Sequence, residues 1–184
     1  TENFMNYEYS HTKLETETFF WHTFCDNYLE IIKDRLYNAD QRGKDERLSA
    51  QYGLYNVLLM IIKLMAPIMP FITEELYQSY YKKHEKIKSV HLTKWPDIKM
   101  IDEHAERIGD FVVSVVEFAR KQKTMKQLSL KTPIKTLTIK AKIEEIDFDE
   151  VEHEIKAATS AEQIIFEPTR GKKPEKDIEI EVEF

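Results

Sequence analysis

The chain of 184 residues carries 27 Lys and Arg against 33 Asp and Glu, a formal charge of −6, with 42% hydrophobic residues, 33% charged residues and only 4 Gly and 6 Pro. That composition excludes a low-complexity or collagen-like chain and supplies apolar material for one good core or two small ones. The single cysteine, Cys25, rules out an internal disulfide and the usual structural zinc site, and no apolar run approaches the roughly 20 residues of a membrane span. The expectation is a cytoplasmic chain with no membrane partner.

Residues 1–18, rich in Tyr, Asn and Thr, show no regular period and read as a lead-in segment. From about residue 17 to 37, Trp21, Cys25, Tyr28, Ile32 and Leu36 recur at three- and four-residue steps, with Phe20, Phe24 and Ile31 widening the stripe, which predicts an amphipathic helix with Trp21 in its core face. The polar run 38–47, holding Gly43, reads as a connection. Leu48, Tyr52, Tyr55, Leu58, Leu59, Ile62 and Met65 then share one side of a second helix whose other side carries Leu54, Val57 and Ile61. A helix apolar on both sides belongs at the centre of a bundle.

Pro67 and Pro70 stop that helix. Phe71, Ile72, Leu76, Tyr77 and Tyr80 resume helical spacing to about Lys83, with Glu74 and Glu75 in the early turns where the helix dipole favours acids. Residues 89–95 alternate as an extended stretch closed by Pro96, and a fourth helix marked by Ile101, Ala105, Ile108, Val112, Val115 and Ala119 runs to about Lys126. After Pro133 the period drops to 2 through Leu137, Ile139, Ala141 and Ile143, becomes helical again through Phe148, Val151, Ile155 and Ala158, and returns to strands at 163–166 and 178–184. The predicted fold is mainly α: a bundle over 19–130 followed by a small α/β tail over 131–184, with residues 168–176 joining the last two strands.

Net charge alone counts against a nucleic-acid partner, but its distribution is uneven. Residues 118–143 hold eight bases and no acid, whereas 144–184 hold fourteen acids and five bases. A basic segment beside an acidic tail can attract phosphates locally, although a solvated charged face is the simpler reading of charge alone.

Chemistry-bearing patterns are few. His22 and Cys25 stand three apart, with His11, His84 and His91 elsewhere, but Cys25 falls on the apolar stripe and reads as a small core residue, so no metal site is expected. Glu74 with Glu75 and Glu144 with Glu145 are adjacent pairs that point apart on a helix. There is no phosphate-cradling Gly-rich loop and no Gly-x-Ser-x-Gly elbow, so no catalytic residue and no cofactor are assigned.

Two motifs carry a family resemblance. Residues 19–30, Phe-Phe-Trp-His-Thr-Phe-Cys-Asp-Asn-Tyr-Leu-Glu, with Lys33 and Arg35 after them, are similar to the opening helix of the anticodon-binding bundle of valyl-tRNA synthetases. Residues 64–77, Leu-Met-Ala-Pro-Ile-Met-Pro-Phe-Ile-Thr-Glu-Glu-Leu-Tyr, resemble a segment shared by the class I synthetases for valine, isoleucine and leucine, and Trp95-Pro96 ends the bundle as in that family. The resemblance implies a class I anticodon-binding bundle, tRNA(Val) as partner, and catalytic and editing domains elsewhere in a parent polypeptide that uses ATP. The His-x-Gly-His and Lys-Met-Ser-Lys-Ser motifs of the catalytic domain are missing here, and a tail of strands in place of a heptad-like hairpin places the chain nearer the archaeal-type relatives. Candidate tRNA-binding residues are Lys33 and Arg35 on the first helix and Arg120, Lys121, Lys123 and Lys126 near the end of the fourth. Trp21 and Trp95 could stack on bases, though both read first as packing residues. The alternative is a helical protein-interaction module with a β-strand tail, whose last strand or an apolar bundle face docks a partner.

Overall fold

The structure, a computed structural model, describes residues 1–97, 101–141, 147–168 and 178–184. The expected inward Ile143, the Glu144 and Glu145 pair and most of the 168–176 connection lie outside the described residues. Those described form two compact units, Thr1–Ile101 and Asp102–Phe184.

The first unit opens with helices where no period was expected: α1 (Glu2–Met5) and α2 (Tyr9–Thr18). The buried residues of α2 are Thr12 and Thr16, whose hydroxyls donate to the carbonyls of Glu8 and Thr12, so this helix packs through polar side chains that leave no apolar stripe. Without a break, α2 continues into a π-helical segment, Phe19–Tyr28, and then α3 (Leu29–Tyr37). A short α4 (Ala39–Arg42) occupies the predicted connection, and Gly43, with φ of +96°, turns the chain into α5 (Lys44–Met65).

By length and composition α5 passes for a membrane span, with a mean hydropathy of 1.3 over its most apolar window. Its packing identifies it as the bundle's central helix. On one side Ile61 and Met65 meet Phe24, Phe20, Tyr28 and Ile68, and on the other Leu59 and Ile62 meet Tyr77, Tyr81 and Val90. Pro70 starts α6 (Pro70–Leu76) at a position where its missing N–H costs nothing, and a π-helical turn (Tyr77–Tyr81) leads into α7 (Lys82–Glu85). The stretch predicted as extended contains one 3₁₀ turn, Val90–Leu92, tied to α6 where Glu74 accepts from the Ser89 hydroxyl and the Val90 N–H. Trp95 stacks on Phe4 at 4.9 Å and donates from Nε1 to Thr1, as a packing residue should.

The second unit begins with Asp102, which caps α8 (Glu103–Met125) by accepting from the N–H groups of His104 and Ala105. Two strands and a helix follow: β1 (Ile134–Ala141), α9 (Phe148–Thr159) and β2 (Ala161–Pro168), with β3 (Ile178–Glu183) last. The sheet order is β2-β1-β3, β1 being parallel to β2 and antiparallel to β3. Leu137, Ile139 and Ala141 point inward as their alternation requires, and Phe148 of α9 stacks on Phe166 of β2 at 4.6 Å. The helix expected as the bundle's fourth buries Phe111, Val112, Val115, Val116 and Ala119 against α9 and β3, so the compact units divide before α8, whereas the change of period placed a boundary at 130/131.

Candidate nucleic-acid interface

The cations predicted on the first helical run are already partnered. Lys33 is exposed and pairs with Glu30, one turn away. Arg35 is half-buried, with Nε 3.3 Å from Glu46, and Arg42 shares that glutamate while also approaching Asp34 at 3.7 Å. Such a network ties α3 and α4 to the start of α5 and leaves little uncompensated charge for a phosphate.

The end of α8 divides its four cations. Lys121 lies opposite the buried stripe and is exposed; Lys126 is exposed just past the helix, with Nζ 4.5 Å from the Phe184 ring centroid. Arg120 is half-buried. Lys123 is 1% exposed, and its ammonium donates at 2.8 Å to the carbonyls of both Leu130 and Thr159. Burial, reinforced by the Arg120 charge, holds its pKa below the ordinary lysine value. This corrects the sequence expectation for Lys123: it is a structural clamp joining the end of α8, the loop before β1 and the end of α9, and its charge does not face solvent. The sequence carried a signal for this: Lys123 stands four residues after Ala119, in line with the buried stripe, whereas Lys121 does not.

Trp21 is the second correction. It is 58% exposed, not in the core. In the π-helical segment each turn holds more residues than in an α-helix, so Phe20, Phe24 and Tyr28 stack four apart at 6.2 and 5.8 Å while Trp21 rotates outward. Buried Asn27 supports this geometry by donating to the carbonyl of His22, five residues back. Trp21, edge-on to Phe20 at 5.0 Å, rims an apolar hollow of about 260 Å³ floored by Leu58, Ile61 and Met65 and bordered by Ile72 and Leu76. Met69, Ile72 and Leu76, which line the same hollow, are exposed with Trp21. Apolar exposure of this extent marks an interaction surface.

His22 approaches Asp26 at 3.3 Å, and Cys25 is half-buried, its thiol pushed up in pKa by burial and by the Asp26 charge. Among the described residues no three His, Cys, Asp or Glu side chains gather to hold a metal ion.

Residues 1–139 match the family described as the anticodon-binding domain of tRNA ligase. The chain is 37% identical over 169 residues to the valine--tRNA ligase of Rickettsia conorii, covering 91% of this chain and 20% of that protein. It is 40% identical over 143 residues to the valine--tRNA ligase of the archaeon Pyrococcus furiosus, covering 77% of this chain and 16% of that protein. The chain therefore spans about a fifth of the length of these relatives. An alignment of 169 residues is too long to end at residue 130, so likeness to the first relative runs into the α/β tail.

Proposed function

From the premise that the chain belongs to the anticodon-binding domain family of tRNA ligases, we propose that it holds the anticodon arm of tRNA(Val) for a valine–tRNA ligase. The observation that carries this reading is the family match over residues 1–139 joined to the likeness to valine--tRNA ligases. In this reading the catalytic and editing domains lie elsewhere in the parent polypeptide, where ATP is consumed, and this part of the chain contributes no catalytic group or cofactor.

RNA loops offer splayed bases that stack on aromatic planes and phosphates that attract cations. Exposed Lys121 on α8 and Lys126 just past its end supply positive charge, Arg120 flanks them, and Trp21 supplies an exposed ring on the first unit. Lys33 and Arg35 contribute less than their sequence positions promise, because contact with RNA would compete with Glu30 and Glu46. The exposed face around Trp21, Ile72 and Leu76 supports a second contact, in which the bundle seats against the other domains of the same polypeptide; this absorbs the observation that favours a protein-interaction module.

The test is binding of the 184-residue chain to tRNA(Val), an anticodon-swapped tRNA(Val) and an unrelated tRNA over a range of salt. Tightest binding to the first is expected, and Lys121→Ala and Lys126→Ala should each shallow the salt dependence by about one counterion. Salt-independent binding, or slopes unchanged in both variants, would sink the reading.

A further inference from the structure

Outside the predicted cations, the end of the third helical run and the loop after it gather four lysines. Residues 78–91 hold Lys82, Lys83, Lys86 and Lys88 against one acid, Glu85, within a chain of net charge −6. All four line one hollow of about 450 Å³ together with Gln78 and Ile87. Each is exposed, and among the described residues none has a carboxylate at ion-pair distance. Lys82 donates to the amide oxygen of Gln78 at 2.7 Å, which orients its ammonium without neutralising it, and Lys83 stands 5.6 Å over the Tyr80 ring.

The neighbouring acids are committed elsewhere. Glu85 accepts from the Tyr55 hydroxyl on α5 at 2.8 Å, and Glu74 accepts from Gln78, Ser89 and the Val90 N–H. Gln78 also donates to the Lys88 carbonyl at 2.6 Å, which fixes the loop carrying Lys88 against the helix. The negative end of the helix explains two lysines in its last turn, Lys82 and Lys83, because that attraction fades within a turn. It does not explain Lys86 and Lys88 beyond the helix. Lys86 occupies a left-handed conformation, φ of +58°, at the helix-ending position where glycine is the usual residue. A lysine there gives up backbone comfort and adds a fourth positive arm to the hollow.

We propose that this lysine-lined hollow is a phosphate site that takes the sugar-phosphate backbone of the bound tRNA, in addition to the cations of α8. The inference rests on the tRNA-binding reading. Four ammonium groups without a carboxylate partner among the described residues, set around an open concavity, suit a chain of phosphodiesters, and the exposed Tyr80 ring next to Lys83 gives a base a stacking surface.

The experiment uses the 184-residue chain, its Lys86→Gln/Lys88→Gln variant, a Lys86→Arg/Lys88→Arg control and the Lys121→Ala/Lys126→Ala variant. Affinity for tRNA(Val) is followed across salt, and each lysine's acetylation is mapped by mass spectrometry with and without tRNA. Two lost contacts should remove about 0.7–0.9 each from the salt slope, so the fourfold step from about 50 to 200 mM salt should weaken the unaltered chain about tenfold more than the glutamine variant. Arginine should preserve the slope, and Lys86 and Lys88 should be protected by tRNA. Protection at Lys121 and Lys126 without protection at Lys86 and Lys88 overturns this site and leaves the tRNA reading standing. Absence of tRNA binding by the unaltered chain overturns both. Protection of Lys86 and Lys88 by inorganic pyrophosphate but not by tRNA overturns the backbone assignment in favour of a free phosphate compound.

Discussion

Gly53 lies on α5 facing the first helical run, and a Cβ placed there would stand 2.2 Å from the Tyr28 hydroxyl oxygen but 3.5 Å from the ring carbon that bears it. Alanine in a helix interior is favoured over glycine by about 1 kcal/mol, so Gly53→Ala should stabilise the bundle if nothing stood in the way. With Tyr28 present the ring must move against Phe24, on which it stacks at 5.8 Å, and overpacking of this kind costs about 1–3 kcal/mol. The expected result is a change between neutral and about 2 kcal/mol destabilising. In a Tyr28→Phe background the offending oxygen is gone and the remaining 3.5 Å contact is ordinary, so the same substitution should stabilise by about 1 kcal/mol. The coupling between the two sites is then about 1–3 kcal/mol. Urea unfolding followed by tryptophan emission measures it, because both tryptophans, Trp21 and Trp95, lie in the first unit. Equal shifts from Gly53→Ala in the two backgrounds, within about 0.5 kcal/mol, would refute the idea that Tyr28 is what keeps this position glycine.

Lys123→Met should lower the melting transition read by far-UV circular dichroism, with a cost of about 1–3 kcal/mol for carbonyls of Leu130 and Thr159 left without their buried donor. Since burial lowers the Lys123 pKa in the folded state, the unfolded chain binds more protons below 10.5 and stability rises as pH climbs towards that value; the methionine variant should lose this rise. Burial alone would raise the Glu74 pKa, but donors from Gln78, Ser89 and the Val90 N–H, helped by His91, bring it below the ordinary 4.5. Its contribution is therefore complete above pH 4.5 and lost as pH falls through the depressed folded value, so Glu74→Gln should flatten the acid limb of the tryptophan-detected unfolding midpoint. Trp21→Ala should cost no more than about 1 kcal/mol in the same urea assay, as a mostly exposed ring, while weakening tRNA binding; a core-sized loss of about 3 kcal/mol or more would return Trp21 to the interior.

The elements that could be read in advance are those whose burial is carried by carbon. Leu59 and Ile62 on one side of α5 and Ile61 on the other announce a central helix, and the alternation of Leu137, Ile139 and Ala141 announces β1. Where burial is carried by hydroxyls the period vanishes: α2 hides Thr12 and Thr16, which satisfy themselves on carbonyls four residues earlier, and the sequence there looks irregular. The stripe of α8 showed that the helix is buried but could not say against what. Val115, Val116 and Ala119 would suit a bundle as well as they suit α9 and β3, because apolar area has no address.

Charge proved less legible than apolarity for the same reason turned around: a cation's value to a ligand depends on what already surrounds it. Lys33, Lys121 and Lys123 are respectively paired with Glu30, open to solvent, and buried between two carbonyls, and only the last of the two on α8 stands in line with its apolar stripe. Counting bases over 118–143 pointed to α8 because no acid interrupts that segment. It passed over 82–88, where Glu85 dilutes the count, although Glu85 turns to Tyr55 and leaves the lysines uncompensated. An exposed ion pair contributes at most about 1 kcal/mol to stability, yet each such pair a ligand must break subtracts from its binding. Unpaired lysines in a concavity carry no such cost. On that argument Lys86 and Lys88 should contribute more to the salt dependence of tRNA binding than Lys33 and Arg35, and Lys33→Gln/Arg35→Gln should change the slope by less than Lys86→Gln/Lys88→Gln does.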